Sequence, residues 1–263
     1  MPTERLKPGP AEFRRRFLAG EVLLGTFLKT PTGHATEVLG HVGFDFVVID
    51  QEHAPFDRGT IDLALLAARA AGIAGIVRVA EPTAAKLLAV LDDGAAGVLV
   101  PHVSSPGKAR DVVAACRYRG GRRGFSNTTR AGNFGGSGIW DHVEAQDAAV
   151  AVLAMIEDPE ALDQLDAILA VEGLDGVFIG RGDLTVALGS SGIDSPETMD
   201  ATRRIAAAAQ KAGKPVCVMA SGSADAARFR EMGASAFIVS SDHGLMRQSA
   251  AKLRTDFDAL GAA

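Results

Sequence analysis

Short apolar, β-branched runs recur along the chain, and most are followed by Ala- and Leu-rich stretches whose apolar residues return every three or four positions. The runs are "LLGTFL" (23–28), "FDFVVID" (44–50), "GIVRV" (75–79) and "GVLVP" (97–101), then "AVLAMIE" (151–157), "DGVFIG" (175–180), "PVCVMA" (215–220) and "AFIVS" (236–240). Their alternation with helical patterns predicts a parallel sheet with helical crossovers. Eight such units in 263 residues point to an α/β fold of the (β/α)8 TIM-barrel type, with a single domain over 1–263. A doubly wound open sheet is the competing architecture, but no glycine fingerprint follows the first run. "GLMRQSAAKLRTDFDAL" predicts an amphipathic closing helix with Leu245, Met246, Ala250, Leu253, Phe257 and Leu260 on one face. Residues 119–138, "RGGRRGFSNTTRAGNFGGSG", break the rhythm and read as either a functional lid or a disordered loop.

A barrel carries its chemistry where the strands end. The strand ends hold Asp50 with His53, Arg78, Glu157 and Asp183, and all should converge on one mouth. Glu157 and Asp183 are two carboxylates from neighbouring strands with no clustered cysteine or histidine, a donor set suited to Mg2+ or Mn2+ and open to water and substrate oxygens. The plainer reading makes each a helix cap, since "EDPEA" and "GRGDL" both resemble helix starts. The Gly180–Asp183 turn would also aim free backbone N–H groups at an anionic substrate carboxylate. His53 lies three residues beyond Asp50, close enough for that carboxylate to fix its tautomer and raise its basicity, which is a general-base arrangement. Glu52 is either an alternative base or a structural member of the turn. Arg78 is costly inside an apolar strand unless it meets an anion. That anion is Asp50 or Glu52 in a salt bridge, or the developing charge on an enolate oxygen.

Composition narrows the remaining classes. The net charge is −5, and the basic clusters at 14–16 and 119–123 are too small for a nucleic-acid footprint. The charged, proline-bearing N-terminus lacks a signal-peptide core, and no apolar run approaches the roughly 20 residues that span a bilayer. Two cysteines, Cys116 and Cys217, show no metal spacing, so they read as core fillers in a reducing, cytoplasmic setting. Covalent Schiff-base chemistry would need a lysine in the mouth, and Lys29 after the first strand is the one so placed.

"GFDFVVIDQEHAPFD", "VRV", "GVLVP" and "MIEDPEALDQLDAILAVEGLDGVFIGRGDL", in that order, resemble the HpcH/HpaI aldolases, metal-dependent class II pyruvate aldolases, from about Glu21 to about Leu260. The resemblance implies a (β/α)8 barrel with an exchanged C-terminal helix, assembled as a homo-oligomer such as a trimer or a hexamer of three dimers. It implies a bound Mg2+, Mn2+ or Co2+ held by Glu157 and Asp183, and a base dyad of His53 with Asp50. Arg78 matches the arginine that contacts the pyruvate keto oxygen, and the backbone at Gly182 and Asp183 matches the carboxylate-binding turn. The activity it implies is reversible retro-aldol cleavage of a 4-hydroxy-2-oxoacid to pyruvate and an aldehyde. Oxaloacetate decarboxylation, acyl-lyase chemistry or non-catalytic oxoacid binding on the same barrel are the alternatives. Three departures from the family pattern bear on substrate. Met155 stands where Gln is common, Gln51 replaces a frequent Gly, and Gly180-Arg181-Gly182-Asp183 replaces Gly-Pro-x-Asp, which is expected to add a cation near the mouth.

Overall fold

The computed structural model describes residues 10–261. The strands are β1 (Leu23–Leu28), β2 (Phe46–Asp50), β3 (Ala74–Arg78), β4 (Gly97–Val100), β5 (Ala151–Ile156), β6 (Gly176–Ile179), β7 (Val216–Ala220) and β8 (Ala234–Ser241). They pair in parallel in chain order, and β8 closes back on β1, with Leu23 opposite Ala236. Around them lie α1 (Pro10–Leu18), α2 (Gly33–Val42), α3 (Arg58–Ala71), α4 (Ala84–Asp92), α5 (Pro106–Cys116) and α6 (Ile139–Ala149). The outer layer continues with α7 (Leu165–Leu169), α8 (Arg181–Ala187), α9 (Pro196–Lys211), α10 (Ser223–Glu231) and α11 (Asp242–Gly261). Among the described residues no helix is long and apolar enough to cross a membrane.

Side chains along a strand point alternately to its two faces, and here both faces are buried. Val47 and Ile49 pack outward against the helices, whereas Phe46 and Val48 fill the barrel with Phe27, Ile76, Leu99, Leu153, Met155 and Phe178. Helix α1 plugs the end where the strands begin: the Phe13 ring lies 5.2 Å from that of Phe46. Behind the plug Asp175 is buried, accepting from Arg14, from Arg117 and from the Val152 N–H. Both cysteines are free and buried, as core fillers should be, and burial pushes the Cys116 thiol up to about 12.

Two expectations are corrected. The last helix does not close over its own barrel: along α11, Met246, Leu253, Phe257 and Leu260 are 59% to 73% exposed. The 119–138 segment is ordered against the outer helices and contains a short 3-10 turn, Arg130–Gly135. Arg123 is buried over the Tyr118 ring and paired with Asp92, while Arg122 pairs with Asp111 and Arg130 with Asp62. With their charges already answered on the flank, these arginines are not a lid over the mouth.

Candidate active site

The period of two that builds the barrel interior also builds the site. Two positions past Phe27 comes Lys29, past Val48 comes Asp50, past Ile76 comes Arg78, and past Met155 comes Glu157. Each inward apolar column thus ends in a titratable side chain at the mouth. Asp50 and Arg78 are also direct partners across the β2–β3 ladder, which sets them side by side at one level.

On that side the charges are internally matched. Arg78 grips Asp50 with two bonds, Nε to Oδ1 at 2.9 Å and a terminal nitrogen to Oδ2 at 2.8 Å, and Lys29 Nζ adds a third at 2.6 Å. Burial drives the Asp50 carboxyl up, but the bonds from Arg78 and Lys29, the Arg78 charge and the His53 N–H outweigh it and hold the group at about 2. The Arg78 guanidinium lies 4.7 Å above the Phe27 ring, and its other terminal nitrogen is 3.4 Å from Glu52. The expected dyad is rearranged here. Asp50 meets His53 through the backbone N–H, at 3.1 Å, because its side chain is taken by the two cations. The His53 imidazole instead stands 3.6 Å from Glu52, with its side chain 57% exposed.

Across the mouth the matching fails. Glu157 is 2% exposed, and no lysine or arginine pairs with it among the described residues. Burial pushes its carboxyl up to about 7; the His102 N–H and ring oppose that, while Asp183 and Glu52 add like charge. Gly180 lets β6 approach so closely that a Cβ there would lie 2.6 Å from Glu157 Oε2. Asp183, in the first turn of α8, is exposed. The donor set therefore fits a divalent cation: two carboxylates, one of them buried, with a demand for positive charge. Among the described residues no group of three or more His, Cys, Asp or Glu converges to hold a metal.

His102 belongs to this site and is absent from the reading of the sequence. Its N–H donates to Glu157 Oε1 at 2.7 Å, and its ring is 3.0 Å from Asp158 and 3.5 Å from Glu157. Burial opposes its protonation, but Asp158, Glu157 and Glu52 raise its pKa overall. Its φ of 54° is left-handed, which "GVLVPH" does not advertise. The signal that would have found it is its position just past a strand end. Arg181 corrects the opposite way. It is buried over the Phe229 ring and bonded to Asp194 and the Ile193 carbonyl, so it brings no cation to the mouth. Gly182 stands with no heavy atom near where a Cβ would be, an open backbone beside Asp183. Met155 is buried in the barrel directly beneath Glu157. A cavity of about 820 Å3 lies elsewhere, between α5 and α7, and its Arg117 is occupied by Asp175.

The chain is similar to known proteins over nearly its whole length. The family model described as HpcH/HpaI aldolase/citrate lyase matches residues 23–249. A 5-keto-4-deoxy-D-glucarate aldolase of Klebsiella pneumoniae is 38% identical over 94% of this chain and 97% of its own. A crystal structure of an HpcH/HpaI aldolase/citrate lyase family protein from Burkholderia cenocepacia J2315 superposes with a TM-score of 0.89 at 30% identity, covering 94% of this chain and 99% of the other. A citrate synthase, SbnG, superposes at 0.87 with 29% identity, covering 95% and 99%.

Proposed function

The chain belongs to the HpcH/HpaI aldolase/citrate lyase family and is a carbon–carbon lyase of the class II aldolase kind, and from that premise we propose how its own residues cleave a 4-hydroxy-2-oxoacid to pyruvate and an aldehyde. The observation that carries the reading is Glu157, a buried carboxylate left without a lysine or arginine at the end of a barrel strand.

Glu157 and Asp183 would hold the divalent cation, Mg2+, Mn2+ or Co2+. When bound, the cation supplies Lewis-acid polarisation of the 2-oxo group and charge for the substrate carboxylate. The open backbone at Gly182 and Asp183 binds that carboxylate through its N–H groups. Arg78, fixed by Asp50 below and Phe27 beneath its plane, presents its remaining N–H groups to the keto oxygen as negative charge develops there. His53 removes the 4-hydroxyl proton as the C3–C4 bond breaks to release the aldehyde and leave the pyruvate enolate, Glu52 beside its ring steadies the charge it acquires, and return of a proton to C3 completes pyruvate. Asp50 acts through Arg78 and through the His53 backbone. Lys29 Nζ is engaged by Asp50 at 2.6 Å rather than free toward the substrate, which supports the metal-dependent route over Schiff-base chemistry.

Pyruvate proton exchange in deuterated buffer tests the scheme. Exchange should stop on chelation and return with Mn2+. Survival after chelation, with borohydride trapping pyruvate on Lys29, would refute it. A homo-oligomer, trimeric or hexameric, is part of the same reading: the bare apolar face of α11 is suited to exchange with a second copy, and light scattering checks the mass. A cytoplasmic setting is supported by the two free thiols.

A further inference from the structure

We propose that Arg181 is a positioning residue: its guanidinium, buried behind the first turn of α8, fixes the backbone that presents Asp183 to the cation and Gly182 to the substrate carboxylate. This rests on the aldolase reading above and adds to it a residue that touches neither cation nor substrate.

The start of α8 has little of its own to hold it. The helix is seven residues long, too short to be stable alone, and Gly180 before it has no side chain to cap the first turn. Gly182 has no heavy atom near its missing Cβ position, and Asp183 is exposed. Arg181 supplies the anchor from the outer side. One of its terminal nitrogens donates to the Ile193 carbonyl at 2.8 Å and to Asp194 Oδ1 at 2.9 Å, and lies 3.6 Å from the Met199 sulfur. The guanidinium plane stacks 4.5 Å from the Phe229 ring centre. These partners come from the loop before α9, from α9 and from α10. Asp194 is itself held by Arg228 at 2.7 Å, and Arg228 also pairs with Asp225, whose carboxylate accepts from the Ser221 N–H and hydroxyl after β7. One turn further on, the Thr185 hydroxyl meets that of Thr198 at 3.2 Å. Helix α8 is thus pinned at its second turn by Thr185 and at its first by Arg181.

Stability alone does not account for an arginine here. Its Nε is buried with no hydrogen-bond partner among the described residues, and burying a polar group unpaired is costly. An apolar side chain of similar volume is often as stable in such a place. What an apolar chain lacks is direction. Directed hydrogen bonds and a stacked plane fix one orientation of the turn, to the precision that a metal ligand needs.

Calorimetric titration of the full-length, metal-free protein with Mn2+, together with pyruvate proton exchange, tests the role. Arg181→Met keeps a long buried stem and gives up the fork. Its Mn2+ affinity should fall at least about tenfold, the cost of losing a group that orients a metal ligand. KM for pyruvate should rise, while kcat at saturating Mn2+ and pyruvate should stay within about threefold of wild type. The melting temperature of the metal-free variant should fall by no more than about 4 °C. Arg181→Pro loses the same contacts but pre-sets the backbone of the first helical position, so it should recover most of the Mn2+ affinity that Arg181→Met loses. Wild-type affinity in Arg181→Met overturns the proposal. So does an Arg181→Pro variant that binds Mn2+ no more tightly than Arg181→Met, since packing and not orientation would then be at stake. If Arg181→Met does not fold, Asp194→Ala reads the same tether from the surface: it should weaken Mn2+ binding about threefold, and unchanged affinity there overturns the proposal as well. A wild type that binds no Mn2+ overturns the metal reading itself, whereas Mn2+ binding indifferent to these substitutions overturns only the role of Arg181.

Discussion

Asp50 and Glu157 end strands of the same barrel, point into the same mouth and are 0% and 2% exposed, yet one is held at about 2 and the other pushed up to about 7. Desolvation is the largest influence on both and acts in the same direction. What separates them is company. Asp50 has Arg78 and Lys29, delivered by the neighbouring strands β3 and β1. Glu157 has one backbone N–H, a histidine ring and the nearby charges of Asp183 and Glu52. The β1–β3 half of the mouth is electrostatically complete in the folded chain, while the β5–β6 half keeps a buried carboxylate that no lysine or arginine pairs with among the described residues.

The largest test removes the lone carboxylate. Glu157→Gln keeps an acceptor for the His102 N–H but gives up the charge. Pyruvate proton exchange should fall at least about a thousandfold with loss of Mn2+ binding by calorimetry. Metal-free stability should change by no more than about 1 kcal/mol, because no internal partner is orphaned. Mn2+ binding at wild-type affinity in this variant would erase the contrast between the halves. Next in size, Arg78→Leu leaves Asp50 buried with Lys29 alone and should cost about 3 kcal/mol in urea unfolding of the metal-free protein. Adding Asp50→Asn to that variant should recover part of the loss, since the orphaned charge goes with it.

The Asp50 half also has a pH signature. Its folded-state pKa lies below the unfolded value of 3.8, so its contribution is fully present above 3.8 and is lost as pH falls from there through about 2. The shift corresponds to ~2 kcal/mol. Urea midpoints measured down to pH 2 should show this loss in the wild type, and a flatter acid limb in Asp50→Asn. Equal slopes in the two proteins would mean that the ion pair is already present in the unfolded chain.

What was legible in the sequence follows the same division between period and partnership. All eight strands can be read from apolar runs, because strands buried on both faces have few polar interruptions, and the inward parity carries straight on to Asp50, Arg78 and Glu157. Partnership is not periodic. Asp50 was expected to orient the His53 ring, but Arg78 and Lys29, 28 and 21 residues away in sequence, claim its oxygens. Arg181 lies two residues from Asp183 yet turns into the outer layer to stack on Phe229, since the first turn of a helix fans its side chains through a wide arc. The apolar face of α11 was legible as a stripe, but a stripe does not name the surface that covers it.

His102 supplies the finest test, because its backbone and its ring act on Glu157 in separable ways. At φ 54° a β-carbon is strained and glycine is not, so His102→Gly should be more stable than the wild type by at most about 1 kcal/mol, glycine's own entropy offsetting part of the gain. His102→Ala keeps the strain and should show no such gain. Both variants lose the imidazole and keep the N–H that fixes Oε1 at 2.7 Å. If that N–H is what Glu157 requires, Mn2+ affinity in both variants should stay within about threefold of wild type, the scale of a weak exposed charge interaction. Calorimetric titration of the metal-free proteins decides it. A loss beyond tenfold in both would mean that the ring helps hold the cation, so that the β5–β6 half brings more of its own chemistry than its carboxylates alone and differs from the β1–β3 half only in degree.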